Sequence, residues 1–151
     1  MIKVVMPKEV PPIENEYGIR NKSVIQFVIG DKFLITKTVN PEWTIEELKR
    51  TFGKYLRGGI SEANMFYPLV KYLYKQESKA VRVDFLFTST SGYEVLKKEL
   101  ELLVEHFGSK GCLNPNNVPY VPKTTAQHKG SDWLTPNEMM NFSKLLKKYE
   151  Y

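Results

Sequence analysis

Between Ser91 and Asn114 the chain reads SGYEVLKKELELLVEHFGSKGCLN, and this stretch constrains the fold more than any other. Ser91 offers a hydroxyl to the open amides of a first helical turn, and Glu94 stands three residues on, which is a capping-box pattern. Tyr93, Leu96, Leu100, Leu103, Val104 and Phe107 then recur at helical spacing and draw one apolar stripe. Gly108 stands where a left-handed residue ends a helix. One residue is out of place. Glu99 falls on the margin of the stripe, so a carboxylate is expected half-buried beside whatever the helix packs on.

Strands are written upstream. Val24–Ile29 and Phe33–Thr38 are rich in β-branched and aromatic residues and are joined by Gly30-Asp31, a two-residue connection of the tight-hairpin kind. A third strand is expected over Ala80–Thr88, with Val81, Val83, Phe85 and Phe87 alternating against Arg82, Asp84 and Leu86. Two helices intervene. The first is expected to be capped by Thr44 with Glu47, to run through Leu48, Phe52 and Leu56, and to stop at Gly58-Gly59. The second starts near Ser61 and carries Met65, Leu69, Tyr72 and Leu73; Pro68 either kinks it or marks its true start.

The ends differ in texture. In residues 1–22 a short apolar run, Ile2 to Met6, can add an edge strand, after which Pro7, Pro11 and Pro12 enforce an extended arm. From Gly111 the chain becomes a proline- and asparagine-rich strap with aromatic anchors Tyr120 and Trp133. It closes with a helix begun by Thr135-Pro136-Glu138, burying Met139, Phe142, Leu145 and Leu146. The expectation is an α+β domain: a small three-stranded, mainly antiparallel sheet covered by helices, in the order strand, strand, helix, helix, strand, helix. Its parts are an arm over 1–22, a core over 23–114, and a C-terminal strap and helix over 115–151 packed on the core or a partner.

Composition narrows the function classes. The 151 residues carry 42% apolar and 26% charged side chains, a globular balance, with no apolar run of membrane-spanning length. The opening MIKVVMPKEVPP has no apolar block long enough for a signal peptide. Cys112 is the single cysteine, which excludes an internal disulfide and suits a reducing compartment; the expected location is the cytoplasm or a particle assembled there. The net charge of +5 permits nucleic-acid contact. Arg50, Lys54 and Arg57 form a basic stripe on the first helix, which ordinary solvation of an amphipathic helix explains more readily than a phosphate-contacting face. Only four arginines are present, so backbone contact is favoured over base readout.

The element order over residues 23–114 resembles the GIY-YIG nuclease domain of intron homing endonucleases. By that resemblance, Glu99, with Leu102 and Leu103 following, stands at the metal-binding glutamate; Asn114 stands at the asparagine after the helix, and Phe107-Gly108 at the linking turn. Arg50 or Glu47 falls near the family's arginine, and Thr51 where a histidine can stand. The hairpin departs from the pattern. Ser23-Val24-Ile25 and Leu34-Ile35-Thr36 occupy the motif positions, and both tyrosines are missing. Leu34 cannot move a proton, and one carboxylate holds magnesium weakly without substrate phosphates.

Three readings follow. The first is a catalytically degenerate nuclease-fold protein serving as a structural or assembly component, in a phage particle or a homo-oligomer, with protein partners and no cofactor. The second is a divergent magnesium-dependent endonuclease using Glu99, Arg50 and Asn114. The third is a DNA-binding protein without chemistry, using Arg50, Lys54 and Arg57 on the DNA backbone. His106 beside Glu99 as a metal pair, and Cys112 with His106 as a nucleophile pair, lack further ligands or an orienting group. Phe66, Tyr67, Tyr72, Tyr74 and Tyr120 can stack bases, although in a chain that is 13% aromatic core and interface packing is the better account of them.

Overall fold

The computed structural model describes residues 2–106, 108–114 and 133–148. Phe107, Tyr120, His128 and most of the strap lie outside the described residues. Among the described residues there are eight elements: β1 Lys3–Val5, β2 Lys22–Ile29, β3 Lys32–Thr38, α1 Pro41–Leu56, α2 Tyr67–Tyr74, β4 Ala80–Ser89, α3 Gly92–Glu105 and α4 Pro136–Lys147. The class is α+β, but the sheet is larger than expected. It has four strands in the order β1-β4-β2-β3, with β1 parallel to β4 and the other pairs antiparallel. The extra strand is the Ile2–Met6 run, which pairs Lys3–Val5 with Ala80–Arg82 and makes the sheet mixed.

Strand alternation sends the two faces to different helices. Ile25, Phe27, Ile29, Leu34, Val81 and Val83 face α1 and α2 and pack with Leu48, Phe52, Leu69 and Leu73. Val24 and Ile35 face the other way, onto Val95 and Leu103 of α3. The sequence assigns Phe87 to the face of Val83, and this is corrected by a β-bulge. Val24 pairs with Phe87 while Ile25 pairs with Phe85, so Leu86 is the extra residue. Past a bulge the side-chain parity flips, and both Leu86 and Phe87 join the α3 face.

Helix starts show where local chemistry was misassigned. Asn40, not Thr44, caps α1, accepting from the Trp43 amide at 3.1 Å with Pro41 in the first turn. Thr44 lies inside the helix, where its hydroxyl meets that of Thr38 at 2.7 Å and ties α1 to β3. The second helix begins at Tyr67 rather than Ser61, with Pro68 in its first turn, so proline marks a start and not a kink. On α3, Ser91 accepts from the Glu94 amide at 3.2 Å, one half of the expected box. On α4, Thr135 and Glu138 make both halves. Gly108 has φ +75°, the left-handed conformation expected after α3.

The closing helix packs on α3. Leu96 and Leu100 meet Leu134, Phe142, Leu145 and Leu146 in a second apolar cluster. The chain enters it by crossing α3 at its first turn, where a β-carbon on Gly92 would overlap the Trp133 carbonyl oxygen. Only glycine permits that approach.

Candidate functional site

Glu99 follows Val95 by one turn and precedes Leu103 by another, so helix geometry alone places it over the sheet. It is 7% exposed. On β3, Lys37 shares a face with Ile35 and Phe33, and its ammonium lies 3.6 Å from Glu99 Oε1. The same ammonium sits 5.8 Å above the Trp133 ring. Burial pushes the Glu99 carboxyl above its usual range, and the Lys37 charge opposes that rise. The sequence expectation of a half-buried carboxylate is thus exceeded, because Lys37 supplies a partner.

These surroundings do not suit magnesium. A hard divalent cation wants several oxygen ligands, and here one carboxylate faces an ammonium and apolar side chains. Among the described residues no group of three or more His, Cys, Asp or Glu is arranged to hold a metal. His106 closes α3 and packs its ring edge-on to Phe33, with centroids 5.0 Å apart.

Asn114 is occupied by the sheet edge. Its side-chain oxygen accepts from the Ile35 amide and its side-chain nitrogen donates to the Ile35 carbonyl, both at 2.8 Å. Just before it, the Phe33 amide donates to the Gly111 carbonyl at 2.8 Å and the Leu113 amide to the Phe33 carbonyl at 2.7 Å. The backbone amides and carbonyls of Phe33 and Ile35 point away from β2, so residues 111–114 cover a strand edge that would otherwise be open. The Cys112 thiol contacts Asn114 Oδ1 at 3.5 Å and is raised in pKa by burial, the reverse of an activated nucleophile.

Arg50 does not join this group. It lies on α1, across the sheet from α3, and donates to Glu47 at 2.8 Å. Glu47 is therefore the partner of Arg50 and no cap. Thr51 is buried and its hydroxyl donates to the Glu47 carbonyl at 2.8 Å. Lys54 and Arg57 are exposed at the far end of α1. Leu34 and Thr36, at the second hairpin motif position, are buried under α1 and α2, with the Thr36 hydroxyl against Met65 sulfur. Glu99 and Asn114 thus share β3, whereas Arg50, Lys54 and Arg57 form a separate surface.

A third feature is the arm. Asn15 Oδ1 accepts from the amides of Tyr17 and Ile19 at 2.8 and 2.9 Å, and the Asn21 amide donates to Ile13 at 2.9 Å. These bonds fold residues 13–21 into a compact loop, and Arg20 moors it to the Val39 carbonyl at 3.3 Å. The loop carries its apolar side chains outward: Ile13 is 62% exposed, Tyr17 79% and Ile19 51%. Val5, Met6 and Val10 are exposed along the same arm, which borders a cleft of about 290 Å³ with Phe85 and Val39. The sequence marks the arm as extended through its prolines; the Asn15-centred loop was overlooked, and its signal was Asn15 three residues before Gly18.

No family model, curated protein or solved structure matches the chain. No helix among the described residues is long and apolar enough to cross a membrane.

Proposed function

We propose that this chain is a non-catalytic interaction component that docks through its N-terminal arm. The observation that carries this reading is the outward display of Ile13, Tyr17 and Ile19 on a loop already fixed by Asn15. Exposed apolar side chains gathered on an ordered segment mark association sites, and pre-organisation lowers the entropy cost of docking. In this reading the core is a nuclease-like framework in which Glu99 and Asn114 serve packing and Arg50 serves the surface. A particle or homo-oligomer is the setting that would cover such an arm.

Light scattering coupled to size exclusion tests the reading directly. The full chain is expected to self-associate at micromolar concentration, and Ile13→Asp with Ile19→Asp to return it to a monomer of unchanged melting temperature. A wild-type chain that stays monomeric, with an arm cut readily by protease, would overturn it. A plasmid-nicking assay with magnesium or manganese addresses the enzyme alternative: nicking by wild type that is lost in Glu99→Gln would replace the proposal with a divergent endonuclease.

A further inference from the structure

Helix α2 has two different faces. Leu69, Val70 and Leu73 are buried against the sheet. Tyr67, Lys71 and Tyr74, spaced one and two turns apart, lie together on another side. Tyr55 of α1 joins them, its ring centroid 5.9 Å from that of Tyr67 and 5.7 Å from that of Tyr74, both edge-on. Cations flank the rank at each end. The Lys71 ammonium is 6.0 Å from the Tyr67 centroid, and the Lys79 ammonium is 5.9 Å from that of Tyr74. Lys79 is fixed there by the carbonyls of Tyr74 and Gln76. Tyr74 remains 54% exposed.

The segment that carries this surface is basic. Residues 49–79 hold seven Lys and Arg against two Glu, whereas the rest of the sequence holds fifteen of each sign, so this segment alone accounts for the net +5. Lys49 and Arg50 are paired with Glu46 and Glu47 one turn earlier. Lys54, Arg57, Lys71 and Lys75 have no carboxylate within ion-pair distance among the described residues.

We propose that the Tyr67–Tyr55–Tyr74 rank and its cations bind single-stranded nucleic acid. Unpaired cations match phosphates, and Tyr74, half-exposed beside the partly buried Tyr67 and Tyr55, offers its ring to unpaired bases; an acidic protein surface would use the cations alone. Sequence tolerance is expected, since stacking accepts any base and one arginine, Arg57, is free of a carboxylate on this surface. The surface uses none of the arm residues, so it stands or falls independently of the docking role.

Fluorescence anisotropy with a labelled oligothymidylate of about 20 nucleotides tests it on the full chain, spanning more than one stacking position. Binding is expected to weaken steeply with salt and to be weaker for a duplex of the same length. Tyr74→Ala is expected to lose about tenfold in affinity, and Tyr74→Phe to keep it. Lys71→Glu with Lys75→Glu should abolish binding; Tyr74→Ala, at an exposed position, decides the matter if the double variant melts early. No binding at low salt, duplex bound as tightly as single strand, or Tyr74→Ala equal to wild type would overturn the assignment.

Discussion

The carboxamide of Asn114 pairs with both backbone groups of Ile35, two bonds of 2.8 Å that substitute for a neighbouring strand. A side chain that replaces a ladder partner is sensitive to its own chemistry in a way a packing residue is not. Asn114→Asp keeps size but loses the donor, and it sets a carboxylate against the Ile35 carbonyl. We predict that it lowers stability by about 1–3 kcal/mol, measured by urea unfolding, the cost of leaving backbone polar groups unmatched. Unchanged stability would show that the edge does not depend on Asn114.

Glu99 should impose an unusual pH dependence. Its carboxyl is raised in the fold, so the folded chain binds that proton more tightly than the unfolded chain does. The stability from this group is complete below the unfolded carboxylate pKa of about 4.3 and is lost as pH rises through the raised folded value. Glu99→Gln removes this decline, while Lys37, a quarter exposed, stays hydrated. Unfolding midpoints collected across that pH range should slope less in the variant. Parallel profiles would mean that the Lys37 charge offsets the burial completely.

Gly92→Ala should destabilise the chain, against the usual gain for glycine to alanine within a helix. The added methyl group would displace the Trp133 backbone and loosen the junction from which α4 packs on Leu96 and Leu100. With Trp43→Phe to isolate the signal, Trp133 emission is expected to shift to the red and the melting temperature to fall. A higher melting temperature would show that the crossing is easily rearranged.

Cys112 should react slowly. Its thiol is partly buried and raised in pKa, with Asn114 as its neighbour. Labelling by an aromatic disulfide at neutral pH is expected to lag well behind that of the urea-unfolded chain, and Asn114→Ala to speed it by opening the edge. Equal rates in folded and unfolded chains would contradict the burial.

Much of this architecture was legible as local pattern. The Gly30-Asp31 hairpin, the Ser91 and Thr135 caps, the stop at Gly108 and the stripe through Leu96, Leu100 and Leu103 are all properties of neighbours in the chain. Their physics is short-ranged, so a few residues of context suffice. The start of α1 departs from the local pattern within the same range: Thr44 with Glu47 reads as a capping box, but the Thr44 hydroxyl is engaged with Thr38 and Asn40 caps the helix instead.

What the sequence alone determined, then, was which segments are helix and strand and that Glu99 would sit against an apolar neighbour. Tertiary structure decided the rest. The pairing of Lys37 with Glu99, the capture of Ile35 by Asn114, and the separation of Arg50 from both depend on which sheet face each helix covers. Face choice is a long-range outcome of burying the Ile25–Leu34 and Val24–Ile35 surfaces at once, aided by a bulge at Leu86 that carries Phe87 across the sheet. A periodicity of two or of 3.6 residues marks a face as apolar. It does not say which partner will cover it.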